Sequence, residues 1–271
     1  MLDLLFLAIA PAVFIFLYIY AKDRYEPEPL HLVLWIFFLG CLCTIPAGIV
    51  EVFFPEDIVT SSVVAPVVEE TAKFLVVFLF VYRHAEFDEP MDGIVYATAA
   101  ALGFATVENI FYVLDGGLAV GILRALLSVP GHVIFSCIWG AALGIAKFRP
   151  KEQETGIILT GLFGAILLHG IFNFSIEAFE GWGLLILIVL VPAGIWWTNR
   201  NIRCAMDDPA SACSMQARAA AAARAGAGFA GSVVTEASRA SPEIPHVFCT
   251  ECGAALTKGK LFCENCGKKV E

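Results

Sequence analysis

Charge is what this sequence has least of. Only 16% of its 271 residues are Asp, Glu, Lys or Arg, where a soluble globular domain carries about 25%. With 59% hydrophobic residues and a mean hydropathy of +0.78, the shortage excludes an ordinary soluble fold. The first apolar run has Asp3 but no Lys or Arg ahead of it, and no A-x-A site follows. It is therefore expected to be a retained span, not a cleaved signal peptide. No long internal repeat is present, and no pair of matching halves like those of many transporters. The net charge of −9 says little about partners when most of the chain is apolar. Lipid is the expected surroundings, and no nucleic-acid partner is expected for this core.

What the sequence does have is apolar blocks of about 20 residues or more, the length a helix needs to cross hydrocarbon. Seven spans are predicted, at 3–21, 30–54, 58–82, 92–114, 119–147, 156–178 and 182–199. The fold class is thus an all-α membrane protein, a bundle of about seven transmembrane helices. The first, third and fifth connections hold the basic residues Lys22, Arg24, Arg83, Lys147, Arg149 and Lys151, whereas the second, fourth and sixth hold none. By the positive-inside rule the odd loops are cytoplasmic, the N-terminus lies outside and the C-terminus inside.

Beyond the core, residues 1–203, comes an Ala/Gly/Ser-rich stretch, 204–246, that reads as a flexible linker. Residues 247–271 then hold Cys249, Cys252, Cys263 and Cys266 as C-x2-C, ten residues, C-x2-C, each pair followed by Gly. This spacing suits a closed tetrahedral structural zinc site, and the segment resembles a small zinc ribbon. Disulfides are disfavoured on the cytoplasmic side. About 23 residues build no core, so the metal would supply the folding energy. Cys41, Cys43 and Cys137 lie in apolar blocks and read as small packing residues.

Against this background the intramembrane polar residues stand out. A charge at the bilayer centre costs about 2.5–3.5 kcal/mol on insertion scales, yet "VVEETAKF" carries Glu69, Glu70 and Lys73. Glu69 and Lys73 are an i,i+4 pair, and Glu70 lies about 100° round the helix from Glu69. Glu108 and Asn109 follow in the fourth span, Arg124 and His132 in the fifth, His169 and Asn173 in the sixth. Phe104, Glu108 and Tyr112 share one helix face. The Pro130-Gly131 pair should bend or open the helix near His132. Arg124 and Asn109, taken singly, read as structural: Arg124 would lie near the outer surface, pair with an acid or snorkel. Four spans contributing polar groups leave three readings: a hydrolytic site, an ion or proton path, or a ligand-gated polar core.

Four segments together resemble the PrsW family of intramembrane proteases: "VVEETAKF" (67–74), "FDEPMDGIVYATAAALGFATVENIFYVL" (87–114), "RALLSVPGHVIFSCIWGAALGIAKF" (124–148) and "LLHGIFNF" (167–174). The family is related to CAAX prenyl endopeptidases and bacterial immunity-type membrane proteases. The resemblance implies a bacterial plasma-membrane endopeptidase cutting a single-span substrate, such as an anti-sigma factor, on its outer side. It maps catalytic roles onto Glu69, Glu70, Glu108, His132 and His169. Glu108, His132 and His169 become candidate ligands of an active-site zinc or other divalent metal, with Glu70 or Glu69 as general base. Asn173 stands where many relatives have Asp. An Asn is a neutral donor suited to an oxyanion, so a glutamate-activated water without metal is the alternative. A non-catalytic sensor or ion-binding transporter is the rival from another class.

Overall fold

The computed structural model describes residues 2–23, 26–179, 183–208 and 210. The four-cysteine module and nearly all of the linker lie outside these residues. In chain order the described residues form α1 (Leu2–Tyr20), α2 (Leu30–Glu51), a first π turn (Thr60–Val64), α3 (Ala65–Phe80), α4 (Pro90–Leu123), a second π turn (Arg124–Ser128), α5 (Val129–Lys147), α6 (Lys151–Ala178) and α7 (Gly183–Met206). An all-helical answer is what hydrocarbon demands, because a helix satisfies its backbone N–H and C=O groups within one segment.

Among the described residues, five segments are long and apolar enough to cross a membrane. One of them, Pro90–Lys147, contains both α4 and α5. Pro90 and Gly93, at the start of α4, touch the backbone of Gly140 and Gly144, late in α5. The segment therefore folds back on itself and the two helices run antiparallel. The expected third span is unbroken helix from 58 to 80, the first π turn leading straight into α3, and it is set apart by carrying Glu69, Glu70 and Lys73.

α4 is the centre of the bundle. Every residue from Pro90 to Thr106 is buried. Small residues make this possible, because helices in lipid associate by close packing and not by hydrophobic exclusion. At Gly93, Gly103 and Gly144 a Cβ would collide with a neighbouring backbone carbonyl. A reciprocal capping box starts the helix, Glu89 and Asp92 each accepting the other's backbone N–H.

The element boundaries depart from expectation at the functional end. The connection expected near Asp115 is reduced to a break at Gly117, whose φ of 71° suits a residue without a Cβ, and the chain is helical again up to Leu123. Pro130 lies inside a helix that continues from 118 to 147, and the helix opens there as expected: the second π turn directly precedes it, and such widening accommodates a residue that lacks its N–H. Pro66 is placed likewise, at the start of α3 behind the first π turn. Such wide turns occur frequently at functional sites. α2 stops at Glu51, short of residue 54, and α7 extends to Met206, past residue 199, carrying Arg200 and Arg203 inside it.

Candidate active site

The first turns of α3 and α5, the late turns of α4 and α6 and the end of α2 meet at one end of the bundle. The basic connections, with Lys22, Arg83, Lys147 and Arg149, lie at the other end. Between the helix ends that meet is a cavity of about 910 Å3, lined among others by Glu51, Glu69, Glu108, His132, His169 and Asn173.

Glu70 forms the buried anchor. Its Oε1 accepts from Lys73 Nζ at 2.6 Å and His169 Nδ1 at 3.1 Å; its Oε2 accepts from Ser136 Oγ at 2.9 Å and Trp139 Nε1 at 3.0 Å. Four donors from α3, α5 and α6 thus converge on one carboxylate that is 0% exposed. The network assigns the His169 tautomer: Nδ1 carries the hydrogen toward Glu70, so Nε2 keeps its lone pair.

Lys73 ties this anchor to the second half of the site. Its ammonium lies 3.5 Å from Glu69 Oε2, 3.2 Å from His132 Nδ1 and 4.6 Å from the centre of the Phe104 ring. An ammonium only donates, so His132 Nδ1 accepts and Nε2 holds the hydrogen. That Nε2 meets Glu108 Oε2 at 2.7 Å, and Glu108 in turn pairs with Arg124 Nη2 at 3.0 Å. Arg124 is closed off by Asn109 Oδ1 at 2.9 Å and by the Tyr112 ring at 4.1 Å. The Phe104–Glu108–Tyr112 face therefore points at the site along its whole length. The Arg124 reading that involved pairing with an acid is the one realised.

Glu69 differs from its neighbour. It lines the cavity, and its nearest charged contacts are long, 3.5 Å to Lys73 and 3.8 Å to His132 Nδ1. One donor atom each from Glu69, His132 and His169 lie within 4.8 Å of one another, and all three residues are buried. Phe135 stacks on His169 at 4.7 Å, and the two imidazoles meet edge to face at 5.2 Å.

This geometry reshapes two expectations drawn from the sequence. Glu108, expected as a ligand candidate beside His132 and His169, bridges His132 to Arg124, and Glu69 takes its place in the converging trio. Asn173 lines the cavity, but its amide donates to the Ser61 carbonyl at 2.8 Å, which fixes α6 against the first π turn. Ser136 and Trp139 escaped notice in the sequence. They lie four and seven residues after His132, so the face they share with it was there to be read. Glu51 was also missed; it ends an apolar block and gave no motif signal.

The match to known proteins is broad. A family described as PrsW family intramembrane metalloprotease covers residues 28–197. Protease PrsW of Geobacillus kaustophilus is 40% identical over 203 residues, covering 73% of this chain and 89% of that protein. Protease PrsW of Bacillus subtilis is 34% identical over 203 residues, 73% of this chain and 92% of that protein. Protease PrsW of Clostridioides difficile is 36% identical over 204 residues, 70% and 86% of the two chains. No solved structure matches the chain. The order of the helices, the Glu-Glu-Lys, Glu-Asn and His elements brought to one cavity, and these relatives agree: the chain belongs to the PrsW family, and it is a membrane-embedded endopeptidase.

Proposed function

We propose that Glu69 is the carboxylate that acts at the floor of the cavity, and that Glu70 is the one that holds the site together. The observation carrying this reading is the division of contacts: Glu70 is saturated by four donors, whereas Glu69 faces the cavity with long contacts only. The residues fit a catalytic metal. Two imidazoles and one carboxylate are a common catalytic zinc set. Each imidazole also has a carboxylate behind it, Glu70 at His169 Nδ1 and Glu108 at His132 Nε2, the outer-shell arrangement that orients metal-ligating histidines. Glu69, His132 and His169 would hold the ion, which when bound would supply Lewis acidity and a water ionised near neutral pH. Arg124 keeps Glu108 in place. Asn173 keeps one amide hydrogen beyond its bond to Ser61, available for a developing oxyanion.

The Lys73 ammonium favours a second reading. It lies among the same donors, 3.2 Å from His132 and 3.5 Å from Glu69. In that form Glu69 takes the proton of the attacking water directly, as a general base. Metal analysis of the purified protein, with cleavage measured after chelation and after zinc is restored, separates the two. Activity that survives complete metal removal sinks the metal reading and leaves the second.

The substrate we propose is a single-span membrane protein, such as an anti-sigma factor, cut near the outer surface of a bacterial plasma membrane. The cavity lies at the end of the bundle opposite the Lys- and Arg-bearing connections, which the positive-inside rule puts in the cytoplasm with the C-terminus. The spacing of Cys249, Cys252, Cys263 and Cys266 supports a structural zinc there. Co-expression of a single-span reporter with the wild type and with Glu69→Gln tests the activity. An unchanged product in the variant, at equal expression, defeats the assignment.

A further inference from the structure

A second group of carboxylates lies at the other end of the bundle. Asp23 follows α1, Glu28 precedes α2, and Asp92 is in the first turn of α4. Their relative exposures are 3%, 2% and 0%. One carboxylate oxygen from each lies within 4.8 Å of the other two. Asp92 is 16 residues before Glu108 on the same helix, so at 1.5 Å per residue this group is roughly 24 Å from the protease site.

The carboxylates are aimed by partners that leave oxygens over. Asp92 Oδ2 accepts the backbone N–H groups of Asp88 at 2.7 Å and Glu89 at 2.6 Å. Glu28 Oε2 accepts the Tyr96 hydroxyl, and the Glu28 backbone carbonyl accepts the Tyr20 hydroxyl at 2.8 Å. What remains is unusual for a protein interior. Both oxygens of Asp23, and Oδ1 of Asp92, have no hydrogen-bond partner among the described residues. Among the described residues, the other charged groups facing the trio are Asp88 and Glu89, just ahead of α4, and Lys147 at the end of α5. The Lys147 ammonium is spent on the carbonyls of Tyr82 at 2.7 Å and His84 at 3.4 Å. Buried carboxylates of this kind are normally paired or coordinate a metal.

We propose that Asp23, Glu28 and Asp92 form a binding site for a hard divalent cation, of the magnesium, manganese or calcium class, separate from the protease centre. The donors are all oxygens, with no imidazole or thiolate among them, and oxygen-only sets suit these ions over zinc or copper. A shared proton between Glu28 and Asp92 is the competing way to settle this group, but it leaves Asp23, among the described residues, with no more than the Glu28 backbone N–H to oppose its charge. Burial pushes the carboxyls of Asp23 and Glu28 up to about 7, so a cation and protons compete for the same oxygens and binding strengthens as pH rises. The cation would clamp the α1–α2 connection onto the start of α4, which is buried from Pro90 to Thr106.

The test uses the full chain in detergent, freed of metal with EDTA, desalted and held at pH 7.5. Thermal unfolding is followed by tryptophan fluorescence while MnCl2, CaCl2 or MgCl2 is titrated. The expected result is a saturable rise in Tm of several degrees with at least one of these ions. It persists in Glu69→Gln and in a Cys249→Ser/Cys252→Ser double variant, and is lost in Asp23→Asn. Binding of Mn2+ to the stripped Glu69→Gln protein, read by electron paramagnetic resonance, gives a direct count that holds even where Asp23→Asn fails to fold. One tight Mn2+, displaced by the stabilising ion and weaker at pH 5.5, is expected. No saturable ion binding, or an identical Tm response in Asp23→Asn, overturns the site and leaves the carboxyls to share protons.

Discussion

Glu69→Gln and Glu70→Gln alter adjacent residues by the same few atoms, and they should damage the protein in different ways. At position 70 the amide keeps one acceptor and turns the other into a donor. If the NH2 group faces Oε1's partners, it meets Lys73 and His169; if it faces Oε2's, it meets Ser136 and Trp139. Ser136 can rotate its hydroxyl and accept, so the second arrangement is better, and it orphans the Trp139 N–H. An unsatisfied buried donor costs about 1–3 kcal/mol, and removing one partner of a buried ion pair costs about 3–5 kcal/mol. A loss of about 3–5 kcal/mol corresponds to a fall in Tm of roughly 6–20 °C for a protein of this size. Glu69 has no contact comparable to these; its distances to Lys73 and His132 are 3.5 and 3.8 Å. Lys73 keeps Glu70 as its partner at 2.6 Å, so Glu69→Gln leaves no buried ammonium unpaired. It should cost about 1 kcal/mol, the net worth of one hydrogen bond, or about 2–4 °C, while cleavage falls by about 10²–10⁴, the usual worth of a positioned acid–base group. Melting curves of both purified variants, beside cleavage of a co-expressed single-span reporter, read the two effects separately. A Glu69→Gln protein that melts as early as Glu70→Gln, or that cuts at close to the wild-type rate, refutes the division of labour.

Other outcomes follow from the same geometry. Trp139→Phe keeps the edge-on contact with Phe74 at 5.7 Å but removes one donor from Glu70; a loss of about 1.5–3 kcal/mol is expected for a bond to a charged group, seen as a lower Tm. Arg124→Gln frees Glu108 on one side, and cleavage should fall by about tenfold, or about 1.4 kcal/mol of transition-state stabilisation, with little change in melting. Gly93→Leu has no room against the α5 backbone and should yield little monodisperse protein after detergent extraction, whereas Gly156→Ala, with nothing within 4 Å of its added Cβ, should extract normally. In chelator, stability should fall as pH rises from about 4 to about 7. Burial raises the carboxyls of Asp23 and Glu28 from 3.8 and 4.5 to about 7, so across that window the folded chain holds protons that the unfolded chain has released. Each group contributes a slope of up to about 1.4 kcal/mol per pH unit. Tm measured at pH 5, 6, 7 and 8 should show a shallower decline in Asp23→Asn, and an equal decline would contradict the burial of that carboxyl.

Much of the bundle was legible because the bilayer imposes a single period and a single length. The apolar blocks, and the polar residues interrupting them, could be found without knowing which helices touch. Their convergence could be suspected from cost alone, since isolated charges in four spans would each be penalised. The partition between Glu69 and Glu70 was not legible. It depends on Ser136 and Trp139, which are 66 and 69 residues away from Glu70 in the chain and become its partners only when α5 packs on α3. The exchange of Glu108 for Glu69 in the converging trio has the same origin, because the Arg124 that claims Glu108 comes from beyond the break at Gly117. The Pro130-Gly131 pair was legible as a place where the helix bends or opens, because a proline inside a span removes a backbone donor; that the opening is a π turn was not. The acidic group at Asp23, Glu28 and Asp92 gave no pattern, because its members come from two loops and a helix cap.

The four donors on Glu70 also bear on when the enzyme first becomes able to cut. They arrive in order of synthesis: Lys73 with α3, Ser136 and Trp139 with α5, His169 only with α6. A nascent chain leaving the ribosome with five helices inserted has its acid pair in lipid but lacks the imidazole that completes the centre. With His169 in its proposed role, newly made molecules should show no cleavage until the sixth helix docks, and a copy truncated before that point should be inert.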